Sequence, residues 1–370
     1  MPVSPTIVDN PLPARATPAA TRAAVVEPKR REFEPGISSS RAVRAPSLAP
    51  QVTASSTTRV EIDGRTLLTF GGCDYLGLAH HPAVVAAAAE AMRVYGLSVT
   101  ASRVTTGNTA AHVALERDVA ALLGQEAACA LPEGYMANLA LAQALASGGA
   151  GGAPAPVAVI DERAHRSVSD SARAAGLEIV RFRHRDAGDA GGRLRAIAGP
   201  AAIMTDGVFT ADGSVAPVAE LLLLLRDGRD VLVVDDCHGV GVLGGGRGTC
   251  REAGLDDPRV VLTTTLAKGV GCYGGAVAGT HEVVDRVRRS ATAFICTTPI
   301  PPAMAAAASA AIEIIAGDPA RNRRLLANAR RLRDSLGAMG LSLADQPTPI
   351  AAFLARDEAR MERVHAALLA

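Results

Sequence analysis

The chain has 370 residues, a formal net charge of +1, 48% hydrophobic residues and 20% charged ones. That is enough apolar material for a large core and a second, smaller domain, and the charge balance leaves no electrostatic footprint for nucleic acid. Aromatic residues make up only 3% and tryptophan is absent, which excludes a stacking platform for single strands.

The six cysteines (Cys73, Cys129, Cys237, Cys250, Cys272 and Cys296) stand singly. None forms a pair with zinc-ligand spacing, and they read as reduced thiols of a cytoplasmic protein. No apolar run approaches the ~20 residues of a membrane span. The leucines from 221 to 225 are bounded by charges on both sides.

Residues 1–55 are rich in Pro, Ala, Arg, Ser and Thr without sustained periodicity, and are expected to be disordered. Arg15, Arg22, Arg30 and Arg31 among small residues have the look of a transit peptide, but Asp9, Glu27, Glu32, Glu34 and the prolines argue against one. A large domain is expected over 56–300. It opens with Arg59–Ile62 and Thr66–Phe70 flanking Asp63-Gly64, a two-residue hairpin signal. Pro82 starts an amphipathic helix that stops at Gly96, and Thr109 caps a helix that Gly124 closes.

Strands and helices then alternate. Short apolar runs at 127–131, 157–160, 177–182, 201–205, 230–234, 260–264 and 276–278 read as strands. Helices are expected from 134 to 146, over 166–175 and after Pro217. Continuous Val/Ile/Leu runs between helices predict a mostly parallel sheet covered on both faces, an α/β fold. Ligands of such sheets sit at the carboxyl ends of the strands. Asp161, Asp206, Asp235 and Lys268 all fall there.

After Pro301-Pro302 the composition turns helical. Helices are expected over 304–315, 321–336 and 358–370, with strands over 341–347 and 349–355. Together they make a small C-terminal α+β domain, 301–370, which reads as incomplete.

Lys268 follows the strand ending in Thr263-Thr264-Thr265, on a glycine-rich turn where a lysine can be desolvated and act as a nucleophile. One strand earlier stands Asp235-Asp236-Cys237-His238. An amine, a carboxylate and an imidazole delivered by successive strand ends are what pyridoxal 5'-phosphate (PLP) requires. Asp235 would pair with the pyridine nitrogen, with Asp236 the likelier helix cap of the two. His238 would meet the phenolic oxygen or the substrate, and His165 could lie on the ring. Gly134-Tyr135 before a helix offers N–H groups to a phosphate, and Thr210 offers a hydroxyl. His112 and Glu116 have the spacing of metal ligands but no second pair, so no metal site is expected.

These residues resemble a known family. Asp74-Tyr75-Leu76-Gly77-Leu78, Ser102-Arg103, Gly107 with His112 and Leu115-Glu116, and Gly134-Tyr135 with Ala137-Asn138 carry the resemblance. So do Thr205 to Phe209, Asp212-Gly213, Asp235 to Gly239, Thr265 to Gly271, and Thr298 with Pro301-Pro302. Together they are similar to the α-oxoamine synthases, fold-type I PLP enzymes of aminotransferase class I/II, over residues 59 to 355.

The resemblance implies a PLP-dependent acyltransferase that condenses an amino acid with an acyl thioester, of CoA or a carrier protein, and releases CO2. It implies a homodimer with no membrane span. Lys268 would anchor the cofactor, Asp235 would bind its ring nitrogen and His165 would stack on the ring. His238 and Thr210 would lie by the phenolic oxygen. Gly134, Tyr135 and Thr265 would hold the phosphate, with Thr298 reaching the phosphate of the neighbouring subunit. Two other readings share the scaffold, an aminotransferase and a truncated PLP-binding protein of little activity. Three departures stand out: Asp74 takes a place read as Asn in the family, where its charge would repel the substrate carboxylate, Ala267 takes a place read as Ser, and Ser98-Val99-Thr100-Ala101 lacks the family's glycines before Ser102-Arg103, which would alter thioester entry. No residue matches the family's carboxylate-gripping arginine.

Overall fold

The computed structural model describes residues 50–148, 156–226, 228–353 and 357–369. Most of the segment expected to be disordered, the middle of the 148–156 loop and the end of the 349–355 run lie outside these residues.

Three short strands come first: β1 (Val52–Ser55), β2 (Arg59–Ile62) and β3 (Arg65–Leu68), paired antiparallel in that order. The β2–β3 turn is the expected one, with Asp63 at φ 51 and Gly64 at φ 73, the positive angles of a tight hairpin. The strand β1 corrects the sequence reading, which placed 52–55 in the disordered segment. Its residues pair with β2 around a register shift between Val52 and Ala54, a partner that no local periodicity announces.

The main sheet has seven strands: β4 (Ala127–Leu131), β5 (Val157–Asp161), β6 (Ile179–Phe182), β7 (Ala201–Asp206), β8 (Val231–Asp235), β9 (Val260–Thr265) and β10 (Gly275–Gly279). Their order is β4-β10-β9-β8-β7-β5-β6, with only β10 antiparallel to its neighbours. Helices α1 (Pro82–Tyr95), α2 (Ala110–Leu123), α3 (Gly134–Ala146), α4 (Arg166–Ala174), α5 (Ala187–Arg195), α6 (Val218–Leu223), α7 (Thr249–Glu252), α8 (His281–Ser290) and α9 (Thr292–Ile295) connect or cover them. Three more follow: α10 (Pro302–Gly317), α11 (Pro319–Ala338) and α12 (Glu358–Leu369).

Successive strand residues point to opposite faces, so a sheet covered on both sides needs unbroken apolar runs. Val159, Ile203, Leu232, Val234 and Leu262 enter the core shared with residues of α1, α2, α6 and α10. The alternate residues Ile160, Met204, Val233 and Val261 enter the one shared with α3, α4, α8 and α9.

Helix α10 packs against α1 and α2, and its Ala305, Ala308, Ala311 and Ile312 belong to the main core. The boundary expected at residue 301 therefore does not coincide with a change of core. Neither run at 341–347 or 349–353 forms a strand among the described residues. The carbonyls of Thr348 and Ile350 are taken by the Arg333 guanidinium, and the Thr348 hydroxyl donates to the Gly213 carbonyl. At Ile350 a side chain thus takes a carbonyl that a neighbouring strand would need. Among the described residues no single helix is long and apolar enough to cross a membrane. The α10–α11 pair passes on length and composition, but it is bent by 81°.

Candidate active site

The carboxyl ends of β7, β8 and β9 bring Asp206, Asp235 and Thr265 side by side, with Asp206 opposite Asp235 and Asp235 opposite Thr263. A cavity of about 280 Å³ opens there. Its walls include Gly134, Tyr135, His165, Thr210, Asp235, His238, Thr265 and Lys268. Of the residues singled out in the sequence as site residues, Thr298 alone does not line it. Thr298 is exposed, on the segment after α9.

Asp235 stands two residues beyond Val233 and so shares its face, toward α3. It is buried. One carboxylate oxygen accepts from the Asn138 amide at 2.7 Å, the other from the Cys237 N–H at 3.2 Å. The same amide group donates to Ser167 Oγ at 2.8 Å, while Asn138 Oδ1 accepts from Thr263 at 2.6 Å. Ser167 Oγ in turn meets His165 Nδ1 at 2.7 Å. A polar string thus runs from the strand carboxylate to the imidazole on the cavity wall. His165 is the N-cap of α4, and its backbone N–H donates to both oxygens of Asp206, at 2.9 and 3.1 Å. Burial, with Asp235 alongside, pushes the Asp206 carboxyl well above the usual carboxylate range, against the pull of that N–H.

Lys268 Nζ lies 2.7 Å from His238 Nε2, and His238 Nδ1 lies 2.7 Å from the Tyr75 hydroxyl. Burial first, then the charge of Lys268, pushes His238 down to about 3, so the imidazole is neutral near pH 7. Burial likewise keeps the Tyr75 hydroxyl protonated.

The residues present fit PLP. Glu133, the N-cap of α3, makes no side-chain capping bond, so the first N–H groups of a 13-residue helix are left for an anion at the cavity. Gly134 opens that helix, and a Cβ there would come within 2.9 Å of Thr265 Cβ and 3.4 Å of Cys237 Sγ. The glycine keeps clear the space between the helix end and the β9 hydroxyl. A lysine amine and a buried carboxylate line the same cavity.

Two expectations change. Both oxygens of Asp74 are taken by the Leu78 and Ala79 N–H groups, at 2.8 and 3.1 Å, so its charge is spent on closing a turn. Asp236 does not cap the chain that follows it. It accepts from the Thr249 N–H and hydroxyl at 2.7 and 2.6 Å, tethering the start of α7.

Among the described residues no cluster suits a metal ion. His112 bonds the Thr109 hydroxyl and the Ile300 carbonyl, and Glu116 pairs with Arg103 and Arg288. Sequence reasoning set Asp206 at the ligand end of the sheet but gave it no role, and gave none to Asn138, Ser167 or Tyr75. Asn138 carried a readable signal, an amide flanked by Ala137, Leu139, Ala140 and Leu141.

Fold and site together define a fold-type I PLP-dependent transferase. The family model for aminotransferase class I and II matches residues 65–370. The 8-amino-7-oxononanoate synthase of Methylococcus capsulatus is 40% identical over 296 residues, 79% of this chain and 75% of that protein. The 8-amino-7-oxononanoate synthase of Xanthomonas axonopodis pv. citri is 40% identical over 313 residues, 84% of this chain and 77% of that protein. Among solved structures, a serine palmitoyltransferase from S. paucimobilis with bound PLP superposes with a TM-score of 0.80 at 29% identity, over 85% of this chain and 82% of that one. The chain belongs to the aminotransferase class I and II family and, within it, to the α-oxoamine synthases, PLP-dependent acyltransferases that condense an amino acid with an acyl thioester.

Proposed function

We propose that the chain forms 8-amino-7-oxononanoate, the product for which the 40%-identical relatives are named. The observation that carries this reading is the 40% identity to two such synthases, over 79% and 84% of this chain. The product's structure dictates its parts. The ketone and the amine sit on adjacent carbons of a nine-carbon acid. The bond joining them forms between alanine, which loses CO2, and the thioester carbonyl of a seven-carbon dicarboxylic (pimeloyl) group.

Lys268 holds the cofactor by its amine and, once displaced by the amino acid, holds or returns the α-proton. Asp235, fixed by Asn138, faces the pyridine nitrogen and favours its protonated form. PLP, when bound, supplies the electron sink that makes the α-carbon acidic. His165, held through Ser167 and Asp206, covers one side of the cavity. His238 and Thr210, which line the cavity, would hold the phenolic oxygen of the bound cofactor, His238 through Nε2 when Lys268 has moved off it. Gly134, Tyr135 and Thr265 hold the phosphate, with Thr298 contributed to the second site of a homodimer. The family reading also carries a cytoplasmic location.

Full-length chain with PLP, alanine and pimeloyl-CoA or a pimeloyl carrier protein should release CO2 and free thiol in equal amounts, with the amino ketone seen by mass spectrometry. Turnover of serine with a long-chain acyl thioester alone would overturn the substrate. An α-keto acid without thiol release would overturn acyl transfer itself.

A further inference from the structure

We infer that Tyr75 is a positioning residue for the catalytic lysine, acting through His238 as the outer end of a three-group proton path. The inference rests on the assignment of Lys268 as the cofactor-anchoring lysine.

The path is drawn by two short contacts in series, Lys268 Nζ to His238 Nε2 and His238 Nδ1 to Tyr75 Oη, each 2.7 Å. The three groups come from separate segments, the turn after β9, the turn after β8 and the loop between β3 and α1. Tyr75 is held firmly in that loop. Asp74 closes the turn onto Leu78 and Ala79, and the Arg321 guanidinium donates to the Leu76 carbonyl at 3.0 Å. The Tyr75 ring is half-buried against the cluster of Val208, Val242 and Leu243. Gly77, at φ +65, has no room for a side chain, since a Cβ would lie 2.5 Å from the Thr57 methyl.

The chemistry follows from which nitrogen carries the ring proton. When Lys268 is an ammonium it can only donate, so Nε2 accepts and Nδ1–H donates to the Tyr75 oxygen. When Lys268 is an amine, the Tyr75 O–H donates to Nδ1 and Nε2–H donates to the lysine. One arrangement becomes the other by a single step along the string. The lysine proton passes to Nε2, the Nδ1 proton passes to Tyr75, and the hydroxyl's former proton passes to water. The reverse step recharges the lysine. Imidazole and phenol are neutral at both ends of the exchange, which suits the burial that disfavours a charge on either. A phenylalanine at 75 would keep the packing and break the path.

Two measurements on the full-length chain test this. With PLP bound, Tyr75→Phe should lower kcat about 10-fold or more, with KM for the amino acid and PLP occupancy unchanged. In a His238→Gln background the same substitution should change kcat by less than about 2-fold, because it acts only through the ring. Without PLP, the His238 Nδ1 resonance of chain labelled with ¹⁵N-histidine should move in Tyr75→Phe and stay in place in Tyr95→Phe. Wild-type kcat in Tyr75→Phe, or an equal fall with and without His238, overturns the path. An unmoved Nδ1 resonance overturns it whatever the turnover. A moved resonance in a chain that condenses no substrate supports the path and sinks the assigned reaction instead.

Discussion

Asn138 is a buried amide on a helix where its neighbours Ala137, Leu139, Ala140 and Leu141 are apolar, and it satisfies three partners at once. It donates to Asp235 and Ser167 and accepts from Thr263. A buried carboxylate that loses a donor bears the full cost of its desolvation, which exceeds the net worth of an ordinary hydrogen bond. Asn138→Leu keeps the volume and removes all three bonds. It should destabilise the PLP-free chain by about 2–4 kcal/mol in urea unfolding. It should also weaken PLP binding about 10-fold, as Asp235 loses the contact that aims it. Asp235 itself was legible because it ends an apolar run. Asn138 was not given a role, because nothing local says that a residue on α3 faces the ends of β8 and β9.

The helix α3 shows how an element builds a site from its end. Its uncapped N-terminus and Gly134 face the β9 hydroxyl of Thr265 across the cavity. Gly134→Ala would raise the intrinsic helix propensity of α3, yet it places a methyl 2.9 Å from Thr265 Cβ. PLP affinity should fall about 10-fold or more while far-UV circular dichroism stays unchanged, as fluorescence titration and a spectrum of the same sample would show. A tighter complex in the variant would remove Gly134 from the phosphate site. Elements of this kind were readable where a strand ended in a polar residue and a helix began. The parallel sheet, α1 to α4 and the glycine-rich turn after β9 follow from apolar runs, caps and stops. The short α7 and α9 carry too few residues for a period to show, and α8 has a mostly charged sequence. The run at 349–353 looks apolar enough for a strand, but Arg333, from another part of the chain, takes its Ile350 carbonyl.

At the scale of the whole molecule, the sheet gathers several titratable groups into low-dielectric surroundings, and their protons set how stability varies with pH. Burial pushes Asp206 up to about 8 and Asp236 up to about 6. It pushes His238 down to about 3 and His112 down as well. Stability changes with pH according to the difference in protons bound by the unfolded and native chains. Below the ordinary histidine pKa of about 6.5 the unfolded chain protonates both imidazoles, which favours unfolding as pH falls. Over the same range the native chain holds protons on the two raised carboxyls, which favours folding as pH falls. The two pairs oppose each other, so below about pH 6.5 stability of the PLP-free chain should vary less with pH than either pair alone would make it. Well above pH 7 the histidines are neutral in both states and Asp236 is ionised in both. Asp206 still holds a proton in the native chain that the unfolded chain lacks, and the buried thiols of Cys129, Cys237, Cys250 and Cys272 add to this as pH nears 8, so stability should fall as pH rises toward 8, by about 1–2 kcal/mol. Asp206→Asn carries no titrating carboxyl and should lose most of this slope while keeping the hydrogen bond from the His165 N–H. Urea unfolding of both chains at pH 6.5 and 8 measures it directly. A variant that kept the wild-type slope would show that some other buried group holds the proton, and that Asp206 is ionised beside Asp235 throughout.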